Sequence, residues 1–183
     1  SAGVSRKPFF NFTLSYEFFT DGSVNVSLSG KIRDNVIWLP RLGFEFKLPY
    51  EKDSFTYFGN GPLESYRDMT HHGVVAFHES NADHEYVNYA RPQEHGNHTD
   101  CKLLNIDNSL KFSAENMEIS VLHHSIEALA SAEHTDELKK SDGTQVRVDY
   151  KVSGIGSNSC GPQLDEKYRL SEKDISFKFT LAV

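Results

Sequence analysis

Along most of this chain apolar and polar residues alternate with a period of two, the pattern of a strand with one buried face. Residues 11 to 32, NFTLSYEFFTDGSVNVSLSGKI, hold two β-branched and aromatic runs around Asp21-Gly22, and Val24, Val26 and Leu28 alternate with polar neighbours in the second. This predicts a β-hairpin with a two-residue turn at Asp21-Gly22. In VIWLPRLGFEFKLPY, Leu42, Phe44, Phe46 and Leu48 fall on one face, with Pro40 and Pro49 at the ends. LKFSAENMEISVLHHS predicts a second hairpin, with Ala114-Glu115-Asn116 as its loop and Met117, Ile119 and Val121 alternating. QVRVDYKVSGIG and the final DISFKFTLAV, with Ile175, Phe177, Phe179 and Leu181 on one side, are strands too. Only SIEALASAEHTDELKK departs from this period: Ser125 can cap a helix, and Ile126, Leu129 and Ala130 form a short apolar stripe. The expectation is an all-β antiparallel sandwich with one or two helical turns around Ser125–Lys139.

Composition narrows the function classes. The 183 residues suit a single domain. Net charge is -7, from 26 acidic and 19 basic residues, and the densest basic cluster is Lys139-Lys140, which speaks against a nucleic-acid partner. No apolar run approaches the ~18–20 residues that cross a bilayer, so no membrane role is expected. The opening SAGVSRKPFF lacks the apolar core of a signal peptide, and the absence of an initial Met suggests a chain cut from a longer one. Two cysteines, Cys101 and Cys160, give no disulfide framework and fit a reducing, cytoplasmic setting, with a single bridge left open. The Asn-x-Ser/Thr triplets at Asn11, Asn25 and Asn97 are read as unmodified.

Three segments could carry chemistry. FGNGPLESYRD, residues 58 to 68, has glycines but no Lys-Ser/Thr ending, and Pro62 removes a donor that a phosphate loop would need. Its Glu64 and Asp68 would share a face on a helical turn and could form a glycosidase carboxylate pair, although an exposed acidic or capping pair is the commoner explanation. YARPQEHGNHTDCK, residues 89 to 102, offers Glu94, His95, His98 and Asp100, but Gly96 argues against the helix that a His-Glu-x-x-His zinc site uses. A polar loop closing a sheet is preferred there. SGIGSNSCGPQL, residues 153 to 164, reads as a hairpin or Ω-type loop, with Cys160 a nucleophile only if some neighbour lowered its pKa. The remaining histidines (His71, His72, His78, His84, His123, His124 and His134) are scattered, and solvated or internally bonded positions are expected for them.

Taken in order, four motifs resemble the C-terminal β-sandwich domain of glycoside hydrolase family 2 β-galactosidases. They are Leu-Pro-Arg-x-Gly at Leu39 to Gly43, Gly-x-Gly-Pro-x-Glu-x-Tyr-x-Asp at Gly59 to Asp68, Pro-x-Glu-x-Gly at Pro92 to Gly96, and Ser-Cys-Gly-Pro at Ser159 to Pro162. His95 stands where the family more often has Asn, and Cys160 where some members place a Trp that reaches the sugar. The resemblance implies a large supersandwich similar to galactose mutarotases, with residues 1 to 183 its C-terminal two-thirds. It places the catalytic glutamates, and the magnesium and sodium that the parent enzyme uses, in a central (β/α)₈ barrel, so no catalytic residue, metal ligand or cofactor is expected in this chain. Gly59, Gly61, Pro62, Glu64, Tyr66 and Asp68 become a structural turn motif. Glu94, Asn97, His98, Asn158, Ser159 and Cys160 become residues bordering the substrate.

The implied function is an accessory domain of an enzyme hydrolysing terminal β-galactosides such as lactose. Its implied partners are the barrel domain, on the same polypeptide or a large subunit, and the galactoside. The alternatives are a stand-alone carbohydrate binder or mutarotase-like epimerase, with His98 and Glu94 as acid and base, and a purely structural interaction domain. Loss of early strands would expose Phe12, Leu14, Tyr16, Phe18 and Phe19 and favour a homodimer.

Overall fold

The computed structural model describes residues 2–4, 7–156 and 161–183. The motif residues Asn158, Ser159 and Cys160 therefore lie outside the described residues.

Among the described residues ten strands form one connected antiparallel sheet that folds back on itself. They are β1 (Ala2–Val4), β2 (Lys7–Phe18), β3 (Val24–Ile32), β4 (Arg41–Pro49), β5 (Ser54–Gly61), β6 (Val74–Asn81), β7 (Asn97–Ile106), β8 (Leu110–Leu122), β9 (Gly143–Val152) and β10 (Asp174–Ala182). The main path runs β1-β2-β3-β10-β8-β7-β5-β6, and β9 joins β8 to β4. Strand β8 is the branch. Its residues 111 to 113 pair with β10, and residues 118 to 122 pair with β9. Leaving one neighbour for the other turns the β4–β9 ribbon over the β3–β10 layer, which gives the expected sandwich.

The alternating faces supply the core. Ile175, Phe177 and Phe179 of β10 are buried, and Phe44 and Phe46 of β4 meet them from the opposite layer. Ring centroids lie 5.2 Å apart for Phe44 and Phe179 and 5.1 Å apart for Phe46 and Phe112, within the range of favourable aromatic pairs. The one α-helix among the described residues, α1 (Ile126–Ser131), is capped by Ser125, whose hydroxyl accepts from Ala128 N at 3.1 Å. A 3₁₀ turn follows at Thr135–Glu137. Leu129 is buried as the stripe requires, but Ala130 is exposed, because the helix ends before a second turn can pack. No helix among the described residues is long and apolar enough to cross a membrane.

Several local expectations are corrected. The first hairpin turns through Phe19–Gly22, with Gly22 N donating to Phe19 O and Gly22 at φ 86°, so Gly22 follows the turn instead of sharing its centre with Asp21. Ala114-Glu115-Asn116 is not a loop: β8 runs unbroken through it, and the β7–β8 register shifts there instead. The hairpin turn lies earlier, at Asp107 (φ 49°) and Asn108 (φ 51°), residue types that tolerate left-handed backbone. The segment from residue 89 to 102 is only partly loop, since Asn97 onward is β7, and Glu64 and Asp68 do not share a helical turn.

Candidate functional site

Three of the motif segments, far apart in sequence, meet and are bound chiefly through their charged side chains. Arg41, at the start of β4, reaches Glu94 at 3.0 Å with one nitrogen and Asp149 of β9 at 2.6 Å with the other. Glu94 also accepts from the Tyr66 hydroxyl at 3.3 Å. Three of the four motifs are thus represented in one contact group. Glu64 accepts from the Tyr89 hydroxyl and, at 2.8 Å, from Gly96 N, which ties the second motif to the third. Asp68 accepts from Ile155 N at 3.2 Å and Gly156 N at 2.8 Å, so it fixes the approach to the fourth. Gly59 and Gly61 lie at the end of β5, and the Gly61–Pro62 peptide that follows is cis.

Behind this group lies a buried polar layer. Asn97 donates to Ser65 O and to Glu118, each at 2.9 Å, and Ser65 N returns a bond to Asn97 O at 2.6 Å. Burial pushes Glu118 up to about 7, with the Asn97 hydrogen bond pulling the other way. Burial, reinforced by Glu94, raises the Tyr66 phenol well above its ordinary range, so it remains a neutral donor. His98 bonds Glu85 through Nε2 at 2.8 Å and the Tyr57 hydroxyl through Nδ1 at 3.0 Å. Cys101 is a free, buried thiol raised further by burial, which makes it a poor nucleophile.

This arrangement holds loops together and leaves its carboxylates occupied. Glu64 and Asp68 each receive two donors from other segments, unlike a hydrolytic pair facing a shared substrate. Among the described residues no three His, Cys, Asp or Glu side chains converge as a metal site would require. Of the residues expected beside substrate, Glu94 has a partly solvent-facing side chain, whereas Asn97 and His98 are 0% exposed and bonded internally. His95, one of the ligand-type residues of that segment, is also buried and bonds Gln93 O at 2.8 Å. Of the two placements expected for the scattered histidines, solvated or internally held, His123 and His124 take the internal one, and His123 stacks on Tyr50 with centroids 3.9 Å apart.

Sequence reasoning missed Asp149, Glu118 and Glu85. Asp149 and Glu118 occupy the polar phase of alternating strands, which normally faces water. A signal did exist for Arg41, inside the first motif, but its bond to Asp149 spans 108 residues and no local pattern encodes it.

Comparison with known proteins decides the kinship. The family model described as beta galactosidase small chain matches residues 2–181. The chain belongs to the β-galactosidase small-chain family. It is 33% identical over 178 residues to a beta-galactosidase of Actinobacillus pleuropneumoniae, covering 97% of this chain and 18% of the relative. Identity is also 33% over 177 residues with a beta-galactosidase of Staphylococcus xylosus, covering 92% and 17%. With the Kluyveromyces lactis enzyme it is 34% over 147 residues, covering 78% and 14%. The chain therefore spans less than a fifth of the length of these β-galactosidases.

Proposed function

We propose that this small-chain segment serves as the terminal accessory domain of a retaining β-galactosidase. Its partner is the catalytic barrel, which supplies both glutamates and any magnesium or sodium, and the substrates are terminal β-galactosides such as lactose. The observation that carries this reading is the latch itself: Arg41, Tyr66 and Glu94, from three of the family motifs, meet in this fold, and the motif carboxylates are consumed in joining loops. Such a domain presents a rigid rim and leaves bond cleavage to the neighbouring domain. Glu94 belongs to that rim on this reading. So does the Asn158-Ser159-Cys160 motif, by its sequence. The free thiol at Cys101 accords with a cytoplasmic setting. An epimerase using Glu94 and His98 is disfavoured, because His98 is fully buried between Glu85 and Tyr57 and cannot pass a proton to a bound sugar.

The test is complementation. A β-galactosidase deleted for its small-chain segment should regain turnover of a chromogenic β-galactoside when this folded chain is added. Asp68→Ala, which frees the residue 155 to 156 segment, should weaken the rescue. Failure of the folded chain to bind or rescue such a deletion enzyme would contradict the reading.

A further inference from the structure

Three buried histidines gather beneath the segment that joins β6 to β7. His95, near the end of that segment, and His123 and His124, just past β8, are exposed by 1%, 1% and 6%. Tyr86, from the middle of the same segment, links two of them: its ring centroid lies 5.3 Å from His95 and 5.2 Å from His124. His95 Nδ1 meets the Gln93 carbonyl, which only accepts, so Nδ1 carries the proton and Nε2 is the bare nitrogen. His95 Nε2, His124 Nδ1 and both ring nitrogens of His123 are buried with no hydrogen-bond partner among the described residues. A neutral imidazole tolerates such a place far better than an imidazolium. The charged ring has two N–H donors, and a buried charge without acceptors or a counter-charge is costly.

The surrounding charges decide what acid does here. Burial, then His95, Lys140 and His123, oppose a charge on His124, while Asp83 pulls the other way and is itself taken by Lys140. Arg147 gives Nη2 to the His124 carbonyl at 3.4 Å and is matched by Glu45, and Glu127 of α1 is exposed. The carboxylates beside His95 are spent, Glu94 on Arg41 and Tyr66, Glu64 on Tyr89 and Gly96. His123 differs, with Asp53 at 3.6 Å, Asp83 at 4.0 Å and Tyr50 on its face. We propose that His95, Tyr86 and His124 form an acid-sensitive clasp, which holds residues 82 to 96 against the sheet while neutral and releases them, with the latch contacts of Glu94, Tyr89 and Gly96, when protonated. Burial holds His124 down to about 4 with the clasp closed, and opening returns it toward 6.5, so the open form takes protons that the closed form refuses as pH falls below about 6.5. Between pH 7 and 5 that linkage multiplies the open population roughly twentyfold. The clasp stands on this cluster and does not depend on the hydrolytic reading.

Backbone amide exchange of the 183-residue chain, corrected for the intrinsic rate at each pH, tests it. The reporters are Glu85, Tyr86 and Gly96, whose N–H groups bond Asn81 O, Asp83 O and the Glu64 carboxylate. Their protection should fall about twentyfold from pH 7 to 5, while amides of β3 and β10 change far less. His124→Gln should abolish the fall. His95→Asn, which keeps a donor for Gln93 O, should at least halve it, and gives the same test should circular dichroism show His124→Gln unfolded. Protection independent of pH, a fall unchanged in the folded variants, or an equal fall on β3 and β10, which is unfolding of the whole sheet, would overturn the clasp.

Discussion

Two buried titratable residues, Glu118 and His124, pull stability in opposite directions with pH. Burial raises Glu118 from 4.5 to about 7, so the folded chain keeps a proton that the unfolded chain releases. Its contribution is full below about pH 4.5 and is lost as pH rises toward 7. Burial lowers His124 from 6.5 to about 4, so the folded chain refuses a proton that the unfolded chain takes, and stability is lost as pH falls through that window. Each slope is at most about 1.4 kcal/mol per pH unit, and between about pH 4.5 and 6.5 they offset one another. Glu118→Gln should therefore leave stability rising with pH across this range, and His124→Gln should leave it falling. Urea denaturation at several pH values reads both slopes, and profiles parallel to the unsubstituted chain would refute the assignment. Arg41→Ala should cost about 3–5 kcal/mol, because it leaves Asp149, only 3% exposed, as an unpaired buried charge. These residues were hard to read in the sequence. Arg147 and Asp149 alternate with Val146 and Val148 as solvent-facing residues would, yet β9 is covered on both faces and the polar set is buried too. Alternation reveals a strand, but it does not reveal what covers the second face.

At the scale of elements, period-two patterning was a sound guide wherever a strand has one regular partner on each side. β10, between β3 and β8, carries its expected apolar face into the core for that reason, and β4 does the same with β9 as its one partner among the described residues. The reading failed at Ala114-Glu115-Asn116 because small and polar residues there mark a change of partner within β8, which locally looks like a turn. The glycine of the first motif has a reason of the same kind. Gly43 faces Asp149 where the β4–β9 register slips, and a Cβ there would come within 2.5 Å of Asp149 Cα and 2.7 Å of Val148 O. Gly43→Ala should thus destabilise by about 1–3 kcal/mol, seen as a lower urea midpoint, by forcing apart the strands that hold the Arg41–Asp149 pair. Ser125→Ala should cost about 1 kcal/mol, through loss of the only side-chain cap on α1, and a change within error would remove that role.

The whole molecule carries apolar surface on strands that border open edges. On β2, Tyr16 is 55% and Phe18 76% exposed, and on β6, at the far end of the sheet path, Phe77 is 72% exposed. Free strand edges with aromatic side chains favour addition of another strand. Sedimentation velocity should show self-association of the chain that rises with concentration and weakens in Phe18→Lys, whereas a monomer at every concentration would contradict it. On the proposed function, this small-chain domain shapes a β-galactosidase without performing the hydrolysis. Incubation of the purified chain alone with o-nitrophenyl β-D-galactoside tests this. Release of nitrophenol no faster than in buffer is the predicted result; turnover that disappears in Glu64→Gln or Glu94→Gln would show that the latch carboxylates are catalytic.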